Sequence, residues 1–337
     1  MARRGRWENP SPNLSRETVQ EPALSDPGFS QVAVLLMVHF VLAYVMKQSS
    51  LVSTAHALLT LVIGLYALTR KDRPELLAYV LAYIAGVELI WRGAGFQLFY
   101  ETGKYSLIGF SILGVLLQSS RLSPSKWGLA FVALLAPSLY VLPFFDRQLV
   151  AFNLAGPVAL GFAAFYFSTL RLNLAQFKRL LLAMLVPAVS LGFLALFFTV
   201  TTSDIQFTGG SIRETSAGIG SNQVSSILGL AVICTYAYAL VEKRISSLRW
   251  LMILLTFVML AQAMLTFSRG GLWTAIGAIL VSAVLLLRNQ RARTAMLISA
   301  LVLVPVFIYF IFPALNAFTG NTLSRALRIP IPPIAIC

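Results

Sequence analysis

Charged residues are scarce in this chain of 337 residues. Asp, Glu, Lys and Arg together make up 11% of it, whereas 58% of its residues are hydrophobic. Soluble domains carry about a quarter charged residues, so this balance excludes a water-soluble globular protein. The apolar runs are continuous and do not alternate with polar residues, which favours membrane-spanning helices over a membrane barrel. We therefore predict an all-α polytopic integral membrane protein.

Cysteine and histidine are also rare, with two of each. Cys234 and Cys337 are too few and too far apart for a disulfide framework or a metal site. His39 and His56 have no cysteine or carboxylate at a spacing that suggests zinc, so no metal and no other cofactor is expected. The chain also lacks the Gly-x-x-x-x-Gly-Lys-Ser/Thr loop of nucleotide hydrolases, which argues against a pump driven by nucleotide hydrolysis.

Eleven apolar segments are each long enough to cross about 30 Å of hydrocarbon as a helix. They span residues 30–47, 49–69, 76–93, 105–120, 126–144, 150–170, 180–202, 222–241, 248–267, 271–288 and 294–316. These segments predict a transmembrane helical bundle over residues 30–316. The polar residues 1–29 are predicted to be a disordered cytoplasmic tail, and residues 317–337 an outer-face tail.

The basic residues orient this bundle. With the N-terminus in the cytoplasm, 18 of the 26 Lys and Arg residues fall on cytoplasmic segments and 8 on outer ones. Cytoplasmic loops of membrane proteins carry an excess of Lys and Arg, so we predict a cytoplasmic N-terminus. The net charge of +14 is then mostly a topology signal. The expected partner is the lipid bilayer, and no nucleic-acid partner is expected.

Arg269 lies in an unusual place. It stands in Ser268-Arg269-Gly270-Gly271, between the apolar runs 250–266 and 272–287, in a connection too short to be a free aqueous loop. The orientation puts this turn on the outer face, where arginine is disfavoured, and a charge in a costly place usually has a function. Free N–H groups at a helix start together with a guanidinium group form an anion site suited to phosphate. The alternative is an arginine that reaches up to lipid headgroups.

Two further outer connections carry polar chemistry. Glu88 and Arg92 are four residues apart on a predicted helix, so they share a face and can pair. The pair is either a structural ion pair or a direct contact to a substrate. The loop from Ser203 to Ser221 carries Arg213 and four glycines. It is either a ligand-binding loop or an ordinary flexible loop in which Arg213 pairs with a neighbouring carboxylate.

These residues resemble the O-antigen ligase and O-antigen polymerase superfamily. The resemblance rests on the Ser268-Arg269-Gly270-Gly271 turn that opens an apolar helix, and on the Arg213 loop that leads into Gly220-Ser221-Asn222-Gln223. The stretch from Gly86-Val87-Glu88 through Trp91-Arg92 to Glu101-Thr102-Gly103-Lys104-Tyr105 is also similar. Together these motifs extend from about residue 80 to residue 320.

The resemblance implies a multi-pass protein of the bacterial inner membrane that transfers glycans without a metal at the periplasmic face. The implied donor is a glycan on undecaprenyl pyrophosphate, and the implied acceptor is lipid A-core or another glycan acceptor. By resemblance, Arg213 and Arg269 bind the pyrophosphate, and Glu88, Arg92, Ser268 and Gly270 support the site. No catalytic residue is identified, and no metal site is implied.

The chain departs from this pattern near its end. Ligases of this superfamily have a histidine on a large outer loop near the C-terminus, and residues 317–337 contain none. We expect this tail to be the start of a truncated periplasmic loop, and the protein to be inactive in transfer for that reason. A transporter of an anionic or lipid-linked glycan substrate is the alternative function, and a non-catalytic fragment is a third.

The predicted topology is testable with reporter fusions. A reporter joined after Arg121, Lys178 or Arg291 is expected to read cytoplasmic, and one joined after Gly209 or Arg325 to read external. The measurement is the activity ratio of a reporter pair that distinguishes the two sides of the membrane. An external signal at Lys178 would overturn the predicted order of crossings.

Overall fold

The computed structural model of the protein describes residues 27–118, 124–139, 147–203, 205–207, 209–242, 246–286, 294, 301 and 304–327. Within these residues the fold is all-helical and contains no strand. The helices are α1 (Phe29–Gln48), α2 (Ser50–Thr69), α3 (Glu75–Gly93), α4 (Thr102–Gln118), α5 (Lys126–Leu135), α6 (Arg147–Phe167), α7 (Leu174–Thr201), α8 (Ser221–Val241), α9 (Ser247–Leu265), α10 (Arg269–Leu286), α11 (Phe312–Phe318) and α12 (Thr322–Leu327).

Seven of these helices are long and apolar enough to cross a membrane, namely α1, α2, α3, α6, α7, α8 and α9. Their outward surfaces are apolar. On α2, for example, the exposed side chains include Leu58, Leu59, Val62 and Leu65. Exposed side chains of this kind are stable in lipid and costly in water. The chain is therefore a multi-pass membrane protein.

Several helix boundaries differ from those that hydropathy predicts. α7 begins at Leu174 rather than near residue 180, because Asn173 and Gln176 cap its first turn with reciprocal hydrogen bonds of 2.9 and 3.0 Å. α5 ends at Leu135, and a 3₁₀ turn continues to Leu139, whereas the predicted crossing ran to residue 144. Residues 140–146 lie outside the described part of the chain.

The two predicted tails are only partly described. Residues 1–26 and 328–337 lie outside the described part, and Phe29 already belongs to α1. Within the predicted outer tail the chain forms α12, which a tight turn with Gly320 and Asn321 at positive φ connects to α11. Buried Asn316 closes this turn, because its Oδ1 accepts from the Ser324 amide at 2.9 Å and its carbonyl from the Asn321 amide at 2.8 Å.

The helices run alternately between two ends of the bundle. At the first, which we call the Arg269 end, α1, α3, α7 and α9 finish and α2, α4, α8 and α10 begin. Contacts across this end include Lys47 Nζ to the Gly93 carbonyl at 2.8 Å. At the second, the Asp72 end, Gln118 Nε2 donates to the Ala67 carbonyl and Tyr166 OH to the Pro74 carbonyl, both at 2.9 Å.

α7 occupies the centre of the bundle and packs against α1, α3, α8 and α9. Small residues let neighbouring helices approach closely, as membrane helices require. A Cβ on Gly86 of α3 would lie 2.6 Å from the Met184 carbonyl of α7. The closest approach joins α8 and α10, where a Cβ on Gly271 would lie 1.7 Å from the Ser225 carbonyl.

This helix crossing predicts contrasting effects for two glycines of α10. Gly271→Ala is expected to lower the thermal stability of the purified protein, because the new methyl group must push the α8 backbone away, and overpacking costs about 1–3 kcal/mol or more. Gly277→Ala is the matched control, since a Cβ there meets no atom within 4 Å. We expect the control to be neutral or slightly stabilising, and equal melting temperatures for the two variants would contradict the close crossing.

Candidate functional site

The turn that carries Arg269 lies at the start of α10, and its binding of an anion stays a prediction. α9 ends at Leu265 and α10 begins at Arg269, so only three residues connect the two helices. Phe267 in this connection has a positive φ of 54°, which makes the sharp reversal possible. The turn therefore places Arg269 and Gly270 on the first turn of α10, where backbone N–H groups point away from the helix.

Not all of these N–H groups are free. The Gly271 amide donates to Ser225 Oγ at 3.0 Å, and the same hydroxyl donates to the Ser268 carbonyl at 2.9 Å. The Arg269 and Gly270 amides have no partner among the described residues. Ser225 thus fixes the turn against α8, and two amides remain for a ligand.

The two glycines of the turn have different roles. Gly271 is buried at the helix crossing. Gly270 is exposed, and a Cβ there would meet only Ser226 Oγ and Ser268 Oγ, at 3.8 and 3.9 Å. The backbone at Gly270 is therefore accessible from outside, whereas Gly271 serves packing.

The loop that carries Arg213 packs directly on this turn. The Ile212 amide donates to the Thr266 carbonyl at 3.2 Å, and Thr215 Oγ1 donates to the Leu265 carbonyl at 2.7 Å. Gln262, which is 1% exposed, donates from Nε2 to the Thr215 carbonyl at 2.8 Å. The structure thus brings together two segments that are far apart in the sequence.

Arg213 itself is exposed at the start of a 3₁₀ turn over Glu214–Ser216. Its guanidinium group makes no ion pair or hydrogen bond with a described residue, and in particular none with Glu214. Asp204, the other carboxylate considered as its partner, lies outside the described residues. Convergence of Arg213 and Arg269 on one ligand stays a prediction.

Arg269 is also exposed, and α12 lies over it. Arg269 Nη2 donates to the Ala326 carbonyl, in the last turn of α12, at 2.7 Å. Between them is a cleft of about 50 Å³ lined by Gly209, Met264, Phe267, Ser268, Arg269, Leu272, Leu323 and Ala326. This volume holds a few water molecules at most, so a larger ligand enters the cleft only if α12 moves.

A second polar cluster lies at the same end, between α3 and α4. Arg92 Nε is 3.6 Å from Glu88 Oε1, and Arg92 Nη1 is 3.9 Å from Glu101 Oε1. Lys104 Nζ pairs with Glu101 Oε2 at 2.5 Å. The side chains of Glu88, Arg92 and Glu101 are 12%, 9% and 7% exposed. The pair predicted from the spacing of Glu88 and Arg92 is therefore confirmed, and it belongs to a cluster of two cations and two carboxylates.

The charged groups of this cluster form few hydrogen bonds for side chains that are so deeply buried. Both contacts of Arg92 to carboxylates exceed hydrogen-bond distance, and Glu88 Oε1, Arg92 Nε and Glu101 Oε1 lack a hydrogen-bond partner among the described residues. Buried polar atoms without partners are rare in folded proteins. The face of the Tyr100 ring covers Arg92, with its centroid 4.8 Å from Cζ. The cluster is thus held by attraction between charges more than by hydrogen bonds.

α8 connects the two polar centres. Arg92 Nη2 donates to Gln223 Oε1 at 3.3 Å, in the first turn of α8. Ser225, two residues further on, holds the Arg269 turn. Since two residues of a helix span about 3 Å, the Arg92 cluster and the Arg269 turn flank the same end of α8.

Several residues of this site received no role from the sequence, although Glu101, Lys104 and Gln223 lie in the stretches that carry the family resemblance. Glu101 and Lys104 have the three-residue spacing of a helical ion pair, so their pairing could have been found. Gln223 and Ser225 carry no comparable signal, because their partners are more than 40 positions away in the sequence.

Comparisons of the chain with protein-family models, with curated proteins and with solved structures find no match.

Removing Arg92 is expected to destabilise the protein strongly. Arg92→Met leaves Glu88 and Glu101 buried with fewer cations, which costs about 3–5 kcal/mol for a buried pair. Glu88→Gln combined with Arg92→Met is expected to recover part of the loss. The measurement is the melting temperature in detergent.

The control for Arg92→Met is Arg70→Met at the Asp72 end. Arg70 pairs with Asp72 at 3.4 Å, but the two side chains are 39% and 63% exposed. Exposed pairs contribute little to stability, so no change in the melting temperature is expected. A stability loss as large as that of Arg92→Met would show that charge removal, and not burial, causes the effect.

Proposed function

We propose that this chain is a glycosyltransferase-like protein of the O-antigen ligase and polymerase type, which binds a glycan linked to undecaprenyl pyrophosphate at the Arg269 end. The acceptor is lipid A-core or another glycan acceptor. The observation that carries the proposal is the start of α10, where an exposed arginine, two amides without a partner and an accessible glycine lie together.

The chemistry of this turn suits a pyrophosphate. Glycan transfer from such a donor releases an anionic leaving group whose charge must be stabilised. A guanidinium group can bind two phosphate oxygens at once, and the amides at a helix start add donors and a favourable dipole. Arg269 supplies these groups, and Arg213 supplies a second cation from the loop that packs on the turn.

Arg269 is occupied by a weaker partner in this structure. Its bond to the Ala326 carbonyl is to a neutral acceptor, whereas a phosphate oxygen is charged and forms a stronger bond. We infer that the donor displaces α12 and takes its place at Arg269. The small cleft beneath α12 is the start of the binding site.

The Arg92 cluster lies on the other side of the α8 start and supports the site. It holds the ends of α3 and α4 together. Gly103 allows α4 to approach Glu88 closely, because a Cβ at this position would lie 2.5 Å from Glu88 Cγ. We assign Glu88 and Arg92 to this supporting role and Ser268 and Gly270 to the turn itself.

The proposal includes the topology predicted from the basic residues. Eleven crossings with a cytoplasmic N-terminus place the Arg269 end at the periplasmic face of the bacterial inner membrane. A polyprenyl donor with its chain in the bilayer presents its pyrophosphate at this depth, close to the helix ends.

Arg269→Ala is expected to weaken donor binding by about 10- to 150-fold, because one charge-assisted contact to phosphate contributes about 1.5–3 kcal/mol. Arg269→Lys is expected to remain impaired, since an ammonium group cannot bind two oxygens in the guanidinium geometry. The measurement is the affinity of the purified protein in lipid nanodiscs for undecaprenyl-pyrophosphate glycan.

Arg249→Ala at the Asp72 end is the control, because it removes the same charge far from the turn. A matched transfer assay with lipid A-core then tests whether bound donor is consumed. Donor binding that is indifferent to Arg269 would reject the site. Movement of the donor across a sealed vesicle membrane, without transfer, would favour a transporter.

A further inference from the structure

Five side chains in the middle of the bundle form a continuous chain of hydrogen bonds that includes both histidines of the protein. Trp91 Nε1 donates to His56 Nδ1 at 2.9 Å, and His56 Nε2 is 2.9 Å from Tyr83 OH. Tyr83 OH is 2.8 Å from His39 Nε2, and His39 Nδ1 is 2.9 Å from Ser190 Oγ. Ser190 Oγ then donates to the Val186 carbonyl at 2.8 Å.

The two ends of this chain determine the position of every proton in it. An indole N–H only donates, so His56 Nδ1 is an acceptor and the proton of His56 is on Nε2. That N–H donates to the Tyr83 oxygen. At the other end, the Ser190 hydroxyl donates its hydrogen bond to the Val186 carbonyl. Its oxygen therefore accepts a hydrogen bond from His39.

The bonds that start from Trp91 and those that end at Val186 meet at Tyr83. His39 carries its proton on Nδ1, its Nε2 is an acceptor, and the Tyr83 hydroxyl donates to it. The two histidines are therefore neutral and have opposite tautomers. Each of the five side chains donates one hydrogen bond, and the four between Trp91 and Val186 also accept one.

The ends also exclude transport of protons along the chain. Trp91 cannot release its indole proton near neutral pH, and a backbone carbonyl cannot take one up. The chain is a fixed set of bonds that joins four helices, since His39 is on α1, His56 on α2, Tyr83 and Trp91 on α3, and Ser190 on α7.

A proton added to either imidazole breaks this arrangement. On His56 Nδ1 it would face the indole N–H, so that two donors oppose each other. On His39 Nε2 it would force the Tyr83 hydroxyl to turn away from its acceptor. Either event leaves a buried donor without a partner in a region where water does not replace it.

No carboxylate compensates for a positive charge here. The titratable groups that face the imidazoles are Tyr83 and the other histidine. The charged side chains of the helices packed around them lie towards the helix ends and make no ion pair or hydrogen bond with either imidazole. These are Lys47, Glu75, Glu88, Arg92, Lys104, Lys178 and Arg179.

We propose that this chain of hydrogen bonds acts as an acid-sensitive latch between helices. With both histidines neutral it fastens α1 and α2 to α3 and α7, and a proton taken from water by His56 releases Trp91. Trp91 is followed by Arg92 and then by Gly93. The carbonyl of Gly93 accepts the hydrogen bond from Lys47 at the Arg269 end. Release of Trp91 therefore loosens the end of α3 that carries the buried ion cluster. This latch does not depend on which ligand the Arg269 end binds.

The tautomers are directly measurable, because the protein has only two histidines. A sample with ¹⁵N-labelled histidine and a histidine-free affinity tag gives four ring-nitrogen signals. At pH 7.5 we expect one histidine with its proton on Nδ1 and the other on Nε2, assigned with a His39→Asn sample. Equal tautomers, or a charged imidazole at this pH, would overturn the proposal.

Two variants test the acid response. Tyr83→Phe removes both central bonds with little change in shape. His39 loses the bond that its neutral form accepts and is expected to take up a proton at a pH higher by about one unit, whereas His56 loses the acceptor of its N–H group and is expected to take up a proton at a lower pH. Trp91→Phe is expected to shift the protonation of His56 to a higher pH, because the indole N–H of Trp91 donates only to the neutral imidazole. Tyr44→Phe is the control, since its hydroxyl has no partner among the described residues. Titrations of Tyr83→Phe that match those of Tyr44→Phe would reject the latch.

The structural consequence has its own readout. On acidification of the wild-type protein, the indole N–H signal of Trp91 is expected to change together with the first protonation of a histidine, and the melting temperature to fall in the same pH range. An indole signal that stays constant while His56 becomes charged would also overturn the proposal.

Discussion

Inside a bilayer a polar group has no water to bind, so each one must find a partner within the protein. The bundle largely meets this constraint by gathering its polar side chains at helix ends and joining most of those that lie deeper, although Ser53 Oγ and Ser111 Oγ have no hydrogen-bond partner among the described residues. At the Asp72 end Lys178 pairs with Glu242 at 3.0 Å. Nearer the Arg269 end, Gln262 of α9 donates to the Thr215 carbonyl and to Thr199 Oγ1 of α7, and so ties the outer loop to two helices. The constraint that stabilises the fold thus also holds the loop against the candidate site.

The same constraint separates the roles of the two arginines on either side of α8. Arg92 is buried among carboxylates and is needed for the charge balance of the cluster. Arg269 is exposed and bonded to a backbone carbonyl that a stronger acceptor can replace. A buried, paired charge serves mainly structure, whereas an exposed charge beside unpaired amides is available to a ligand. The Arg92 cluster therefore holds the helix ends in place, and the α10 turn carries donors that have no partner among the described residues.

Hydropathy and spacing predicted much of this arrangement. The apolar runs located most helices to within a few residues, because a membrane crossing requires a long stretch without charge. The four-residue spacing of Glu88 and Arg92 predicted their pair, since helical geometry brings such residues together regardless of the rest of the fold. The start of α7 was misplaced because a polar capping box, which hydropathy does not register, begins that helix before its apolar run.

The sequence by itself therefore determined that the chain is helical and membrane-embedded, and that Arg269 stands at the start of a helix after a tight turn. These features depend on local composition and on contacts within a few residues. Only the tertiary structure decided that Gln223 meets Arg92, that α12 covers Arg269, and that His39 and His56 share Tyr83. Each of these contacts joins helices that are distant in the sequence. They depend on how the helices pack, which is decided by small-residue crossings such as Gly271 against Ser225 and not by the periodicity of any one helix.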